Sequence, residues 1–312
     1  LTAEIRPRLA PASSTLPPQA IALLAALTLG WGLKWPVMKV VLGEMAPLHF
    51  RALCLYGGAA GLFAIARAYG LPLGVPPGAW PRLAIISLFN MTGWNVLAVY
   101  AIPMLESGRA AILGYTMPVW GVILGAFVLR EPFGARRLLG VAAGMGGLGL
   151  LFLGEMHALG RSPLGASLMV GAAISWAIGT VLMKRLPVAM PASAFTAWQM
   201  VLGGVPLLAG ALLVEQGSFA FWKLSFWPAF GVVYNIVVAF VFCQWAWIKI
   251  ALIAPIGVST LASLAVPVVG VFSGMVALGE RPQWQDYAAL VLVAAALATV
   301  MPLPRVLRLA HR

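Results

Sequence analysis

The chain has 312 residues, of which 62% are hydrophobic and only 9% charged. A soluble globular domain carries about 25% charged residues, so too little polar surface remains here to cover a water-soluble particle, and the bilayer is the expected solvent. The formal net charge of +12 would suggest a nucleic-acid partner in a soluble protein. In so apolar a chain the basic residues belong instead to short loops that orient helices, and no nucleic acid is expected.

A helix needs roughly 20 apolar residues to cross about 30 Å of hydrocarbon. Residues 1–19 carry Arg6, Arg8 and several prolines. They are expected to form a cytoplasmic tail, not a cleavable signal, because the next apolar run is too long and has no small-residue cleavage site at its end. Apolar runs then follow near 20–42, 46–66, 83–104, 108–129, 135–153, 164–186, 192–214, 226–248, 252–278 and 286–303. The fifth holds Gly140, Gly144, Gly146, Gly147 and Gly149, a face suited to close helix packing. Residues 304–312 form a second basic tail.

An even number of crossings puts both tails on one side. With the tails inside, thirteen Lys and Arg fall in inside segments. Six fall outside: Lys39, Arg51, Arg109, Arg161, Lys223 and Arg281. That bias predicts cytoplasmic termini. Cys54 and Cys243 lie in apolar runs and read as small buried hydrophobes. His49, His157 and His311 have no ligand spacing, so neither metal nor cofactor is expected.

The sequence repeats internally. A shift of 145 places Trp31, Met38, Lys39, Phe50 and Asn90 on Trp176, Met183, Lys184, Phe195 and Asn235. A shift of 149 places Gly108, Pro118, Gly121, Gly125 and Glu131 on Gly257, Pro267, Gly270, Gly274 and Glu280. The predicted fold is therefore an all-α membrane protein of ten transmembrane helices. Its two five-helix repeats, 20–153 and 164–303, surround a central cavity. Five is odd, so the second repeat enters the membrane inverted, an arrangement that underlies alternating access in many carriers.

Three segments resemble the drug/metabolite transporter superfamily, EamA type: Gly30-Trp31-Gly32 with Lys39 and its counterpart Ser175-Trp176-Ala177 with Lys184; Ser107 through Pro118 to Arg130-Glu131-Pro132; and Ile256 through Pro267 to Gly279-Glu280-Arg281-Pro282. Within it the chain is most similar to the bacterial YddG-type exporters of aromatic and other amino acids. The resemblance implies spans five and ten at the periphery, a bacterial inner-membrane location and export of metabolites. A monomer in membrane lipid, binding a small-molecule substrate, is expected. Superfamily members also move nucleotide sugars and triose phosphates, so fold does not settle substrate.

A substrate site at the midplane gathers polar and aromatic residues that lipid-facing helices avoid. The candidates are Trp31, Lys34, Asn90, Trp94, Tyr115, Trp176, Gln199, Tyr234 and Asn235, with Asn95 and Gln244 nearby in sequence. Lys34 lies about 12 Å from the outer end of its helix at 1.5 Å per residue. Its ammonium either pairs with a substrate carboxylate, or snorkels or meets the Gly32 carbonyl that Pro36 frees. Trp31 and Trp176 either wall a cavity or pack helices. Asn90 and Asn235 either join helices or read a ligand. Trp245 and Trp247 read as interfacial anchors, and Glu131 and Glu280 as helix-end contacts.

No Asp or Glu falls in the middle of a span. Ion-coupled carriers place a carboxylate there, and small multidrug-resistance relatives rely on one in the first helix. Transport down the substrate's own gradient is the expected mode; the alternative is a proton-coupled multidrug or metabolite exporter. No nucleophile set, paired acids or phosphate loop supports an enzyme, and no continuous polar stripe supports a channel.

Overall fold

The structure, a computed structural model, describes residues 18–129, 134–157, 162–253 and 256–300. Both tails and the Arg130–Pro132 turn lie outside the described residues. Within them all regular structure is helical. The helices are α1 (Pro18–Val41), α2 (Pro47–Ala68), α3 (Trp80–Met104), α4 (Ser107–Val128), α5 (Ala135–His157), α6 (Pro163–Arg185), α7 (Ala192–Leu213), α8 (Phe226–Ile250), α9 (Ile256–Leu278) and α10 (Trp284–Val300). They fall on the ten apolar runs to within a few residues. Among the described residues seven, α1 to α4 and α6 to α8, are long and apolar enough to cross a membrane; α5, α9 and α10 contain shorter apolar stretches.

Local chemistry sets the helix ends. Pro47 and Pro163 sit in first turns, where a missing N–H costs nothing. The Ser162 hydroxyl caps α6 by accepting from the Gly165 N–H at 3.0 Å. Pro36 stays inside α1. The Gly32 carbonyl it frees faces Gly270 of α9, so α9 lies against the broken rung. Both α3 and α8 loosen into π-helical turns, at Leu88–Gly93 and Asn235–Phe242. Such turns in otherwise α-helical rods are frequent at functional sites.

Packing is pairwise. Helix α1 lies on α9 and α6 on α4; α2 lies on α7; α5 and α10 pair with each other. Glycines permit the closest approaches, with Gly140 of α5 against Thr299 and Gly147 against Ala289 and Leu292 of α10. The glycine-rich face of the fifth run thus has its partner. Large apolar side chains point outward: Val276 is 89% and Leu213 83% exposed, affordable only against lipid. Exposed Trp222, Phe226, Trp227 and Trp284 ring one end, and Tyr69 and Trp80 lie at the other, as aromatic belts do at membrane interfaces.

One end of the bundle is tied together by polar contacts. Lys39 Nζ donates to the Leu105 carbonyl at 2.7 Å and to Glu280 at 3.1 Å. Glu280 also accepts from Ser107 N at 2.7 Å and Ser107 Oγ at 2.8 Å. Arg109 Nε donates to Asp286 at 2.8 Å. Glu215 meets the His49 ring at 3.0 Å and accepts from the Tyr100 hydroxyl at 3.1 Å. Glu44 accepts from Ser225. The connections α1–α2, α3–α4, α7–α8 and α9–α10 therefore meet at one face. The first turn of α6 joins them, because Gly165 packs on Met104 and Leu105.

Counting loop charges treats Arg51 and Arg109 as loop residues. They are 3% and 2% exposed. A hydropathy pattern cannot separate a loop arginine from one buried at the first turns of a helix.

Candidate functional site

Two groups of predicted residues meet near the helix centres. The first lies between α1 and α8. Trp31 Nε1 donates to the Ala239 carbonyl at 3.2 Å, and the Tyr234 hydroxyl donates to the Gly30 carbonyl at 2.9 Å. Ala239 lies within the π-helical stretch of α8 and Tyr234 just before it. The Lys34 ammonium sits 5.9 Å from the Trp31 ring centroid and 5.2 Å from that of Trp35. Asn235 is fully buried and donates to Gly231 in its own helix. Trp247 packs 5.8 Å from Trp31, so it extends this wall along α8.

The second group lies among α3, α6 and α7. Trp94 and Trp176 meet edge to face at 5.5 Å, a favourable arrangement for two quadrupoles. Asn90 Nδ2 donates to Gln199 at 3.4 Å and approaches the Met183 thioether. Ser175 donates to the Phe89 carbonyl at 2.8 Å. Asn95 donates only to Met91 on its own helix.

Gly114 of α4 joins the groups. A Cβ there would lie 3.0 Å from the Trp35 ring and 3.3 Å from the Trp94 ring. Trp31, Lys34, Trp35, Trp94 and Trp176 thereby form one aromatic band, interrupted by an ammonium and floored by Gly114. Tyr115 follows Gly114 and is 6% exposed. Gln244 is partly buried.

Sequence reasoning missed Trp35, Gly114 and Arg51. Trp35 reads as one more apolar residue, yet it is 1% exposed and its Nε1 is buried without an acceptor. Arg51 looks like a loop charge. Its guanidinium instead lies against the Met38 thioether and over the Phe50 and Phe240 rings. Met38, one turn beyond Lys34 on α1, is the available signal: an arginine reaching it shares the Lys34 face. A surface crevice of about 720 Å³ lined by His49, Glu215, Phe219 and Trp222 opens near the ends of α2 and α7 and contains none of the predicted residues.

Apolar helices sheathed in lipid-facing side chains, with aromatic and cationic residues held inside them, define a polytopic membrane transporter. Residues 18–153 and 163–301 match the EamA-like transporter family, and the chain belongs to that family. It is therefore a transporter and not an enzyme. The uncharacterized transporter YoaV of Bacillus subtilis is 29% identical over 261 residues, spanning 83% of this chain and 88% of that protein. A probable amino-acid metabolite efflux pump of Salmonella typhimurium is 27% identical over 291 residues, spanning 89% and 92%. A solved crystal structure shares the fold, with a TM-score of 0.66 over 93% of this chain and 98% of that chain at 19% identity.

Proposed function

We propose that the chain exports amino acids and related metabolites by alternating access between two inverted five-helix halves, 20–153 and 164–303. The observation that carries this is a correspondence among central contacts. The shift of 145 takes Gly30 to Ser175, Trp31 to Trp176, Phe89 to Tyr234 and Trp94 to Ala239. The Tyr234–Gly30 and Ser175–Phe89 hydrogen bonds thus join corresponding positions, with the donor side chain on α8 in one and on α6, the counterpart of α1, in the other. The Trp31–Ala239 and Trp176–Trp94 contacts also join corresponding positions. The relation of α1 to α8 recurs between α6 and α3, as two interconvertible halves require. The four connections and the start of α6 that meet at one face support ten crossings. The family match begins and ends close to the two repeat limits.

The band between the halves supports amino acids as cargo. Its aromatic faces suit apolar and aromatic side chains, and Lys34 suits a carboxylate. The buried amide oxygens of Asn90, Asn95 and Asn235 have no donor among the described residues and could accept from an ammonium. Relatives named as amino-acid metabolite efflux pumps point the same way. The substrate-binding set is Trp31, Lys34, Asn90, Trp94, Tyr115, Trp176, Gln199, Tyr234 and Asn235. The charge bias, thirteen to six in the full count and thirteen to four without the buried Arg51 and Arg109, supports cytoplasmic termini in a bacterial inner membrane. The carboxylates with visible contacts, Glu44, Glu215, Glu280 and Asp286, all sit at helix ends, which supports movement down the substrate gradient.

Uptake and counterflow of a panel of amino acids, sugars and organic cations in proteoliposomes test the reading. Saturable amino-acid uptake without an imposed ion gradient, lost in Trp176→Ala at normal expression, is expected. Strict dependence on a proton or sodium gradient would remove the uncoupled mode, and sugar or cation uptake alone would remove the substrate class.

A further inference from the structure

We infer that Lys34 and Arg51 form a two-cation site for a carboxylate, so the central site selects substrates by an acid group and prefers organic anions to uncharged analogues. The inference rests on the reading of the helix centres as the substrate site and sharpens its substrate class.

Arg51 is the anomaly that demands it. A guanidinium carries five N–H donors and stays charged. This one is 3% exposed. Among the described residues its contacts are the weakly accepting Met38 thioether and the faces of Phe50 and Phe240, and its Nε has no acceptor. No carboxylate among them pairs with it. A buried charge without a counter-charge is costly, and a buried donor without an acceptor asks for a missing partner. The contrast with Arg109 is direct: that side chain is equally buried and holds Asp286 at 2.6 Å.

Lys34, half-buried on the same face, likewise has no acid beside it among the described residues. Met38, which Arg51 touches, lies one turn from Lys34 on α1. Among the described residues the groups that meet the ammonium are the Trp31 and Trp35 rings. Two cations that repel one another, both without an acid among the described residues, occupy a site lined by Trp35 and Phe240. A planar carboxylate answers both: the guanidinium fork takes its two oxygens and the ammonium a remaining lone pair. The aromatic rings then contact the apolar body of the ligand. A ligand with an ammonium and no acid is repelled there.

The test uses purified full-length protein in detergent and three probes of one shape: phenylacetate, phenylacetamide and phenylethylamine. Phenylacetate should bind saturably and raise the melting temperature; the amide should bind far more weakly and the amine not at all. Arg51→Gln and Lys34→Gln should each weaken phenylacetate binding on the order of 10- to 100-fold, with partial recovery in Arg51→Lys. If Arg51→Gln does not fold, Lys34→Gln and the probe ranking decide alone. Equal binding of acid and amide, no saturable phenylacetate binding, or displacement of phenylacetate by lower concentrations of inorganic phosphate overturns the carboxylate site. Amino-acid uptake unchanged in both Gln variants also overturns it and leaves the export reading intact. Carboxylate binding by a protein that moves no amino acid supports the site and removes the export reading.

Discussion

Lys39 Nζ lies 3.1 Å from Glu280 Oε1, fastening the end of α1 to the turn that follows α9. Glu280 is also held by both Ser107 donors, so three segments share one carboxylate. Removing it in Glu280→Ala leaves the largely buried donors of Ser107 unpaired, at a cost of about 1–3 kcal/mol. A lower thermal unfolding midpoint is expected, and Lys39→Met should add little to it because both changes remove one cluster. Additive losses would show that the contacts are independent.

The same cluster fixes a pH dependence. Burial pushes the Glu280 carboxyl up, but the Ser107 hydrogen bonds and the Lys39 ammonium outweigh it and hold the carboxyl below its ordinary value. Its stabilisation is complete above the unfolded-state pKa of about 4.3 and is lost as pH falls through the lower folded value. The gap in melting midpoint between wild type and Glu280→Gln should therefore close in acid. A gap that does not shrink at all as the pH is lowered below the ordinary carboxylate range would mean another group carries the effect.

Arg109 and Asp286 are a fully enclosed pair, 2% exposed each. Breaking it from one side strands a charge, so Arg109→Met should destabilise by about 3–5 kcal/mol. Arg109→Met with Asp286→Leu should recover much of that loss, since a packed apolar pair is a tolerable substitute. Melting curves of both variants decide; a double variant no better than the single one would count against charge stranding.

A Cβ at Gly179 would fall on the Asn90 amide, and one at Gly114 within 3.0 Å of Trp35. Gly179→Ala should cost about 1–3 kcal/mol through overpacking and be relieved by Asn90→Ala, which vacates the space. Gly114→Ala should instead raise the KM for uptake by crowding the aromatic band, with stability less affected. Unfolding and initial-rate uptake separate the two effects.

The Trp94–Trp176 contact at 5.5 Å is worth about 0.5–1.5 kcal/mol beyond burial. Trp176→Phe should keep most uptake and Trp176→Ala lose most of it. Equal activity of the two variants would exclude an aromatic role.

The residues of the band were legible to different degrees. Trp31, Trp176, Asn90 and Asn235 stand out because they recur at one offset and are expensive in hydrocarbon. Trp35 and Gly114 do not recur as a pair and look ordinary in apolar helices. Their role arises only where α1, α3 and α4 converge. Arg51 is invisible for a related reason, since depth below a helix end is set by what packs over it.

The sequence alone therefore determined the solvent, the helices and the twofold recurrence, because hydrophobic length and the spacing of rare residues are properties of one strand of text and the bilayer's thickness. The tertiary structure decided which charges are paired. It buried Arg109 against Asp286 and, among the described residues, set Lys34 and Arg51 against rings and a thioether. Pairing depends on helices far apart in sequence meeting at one depth, and no local pattern encodes that meeting.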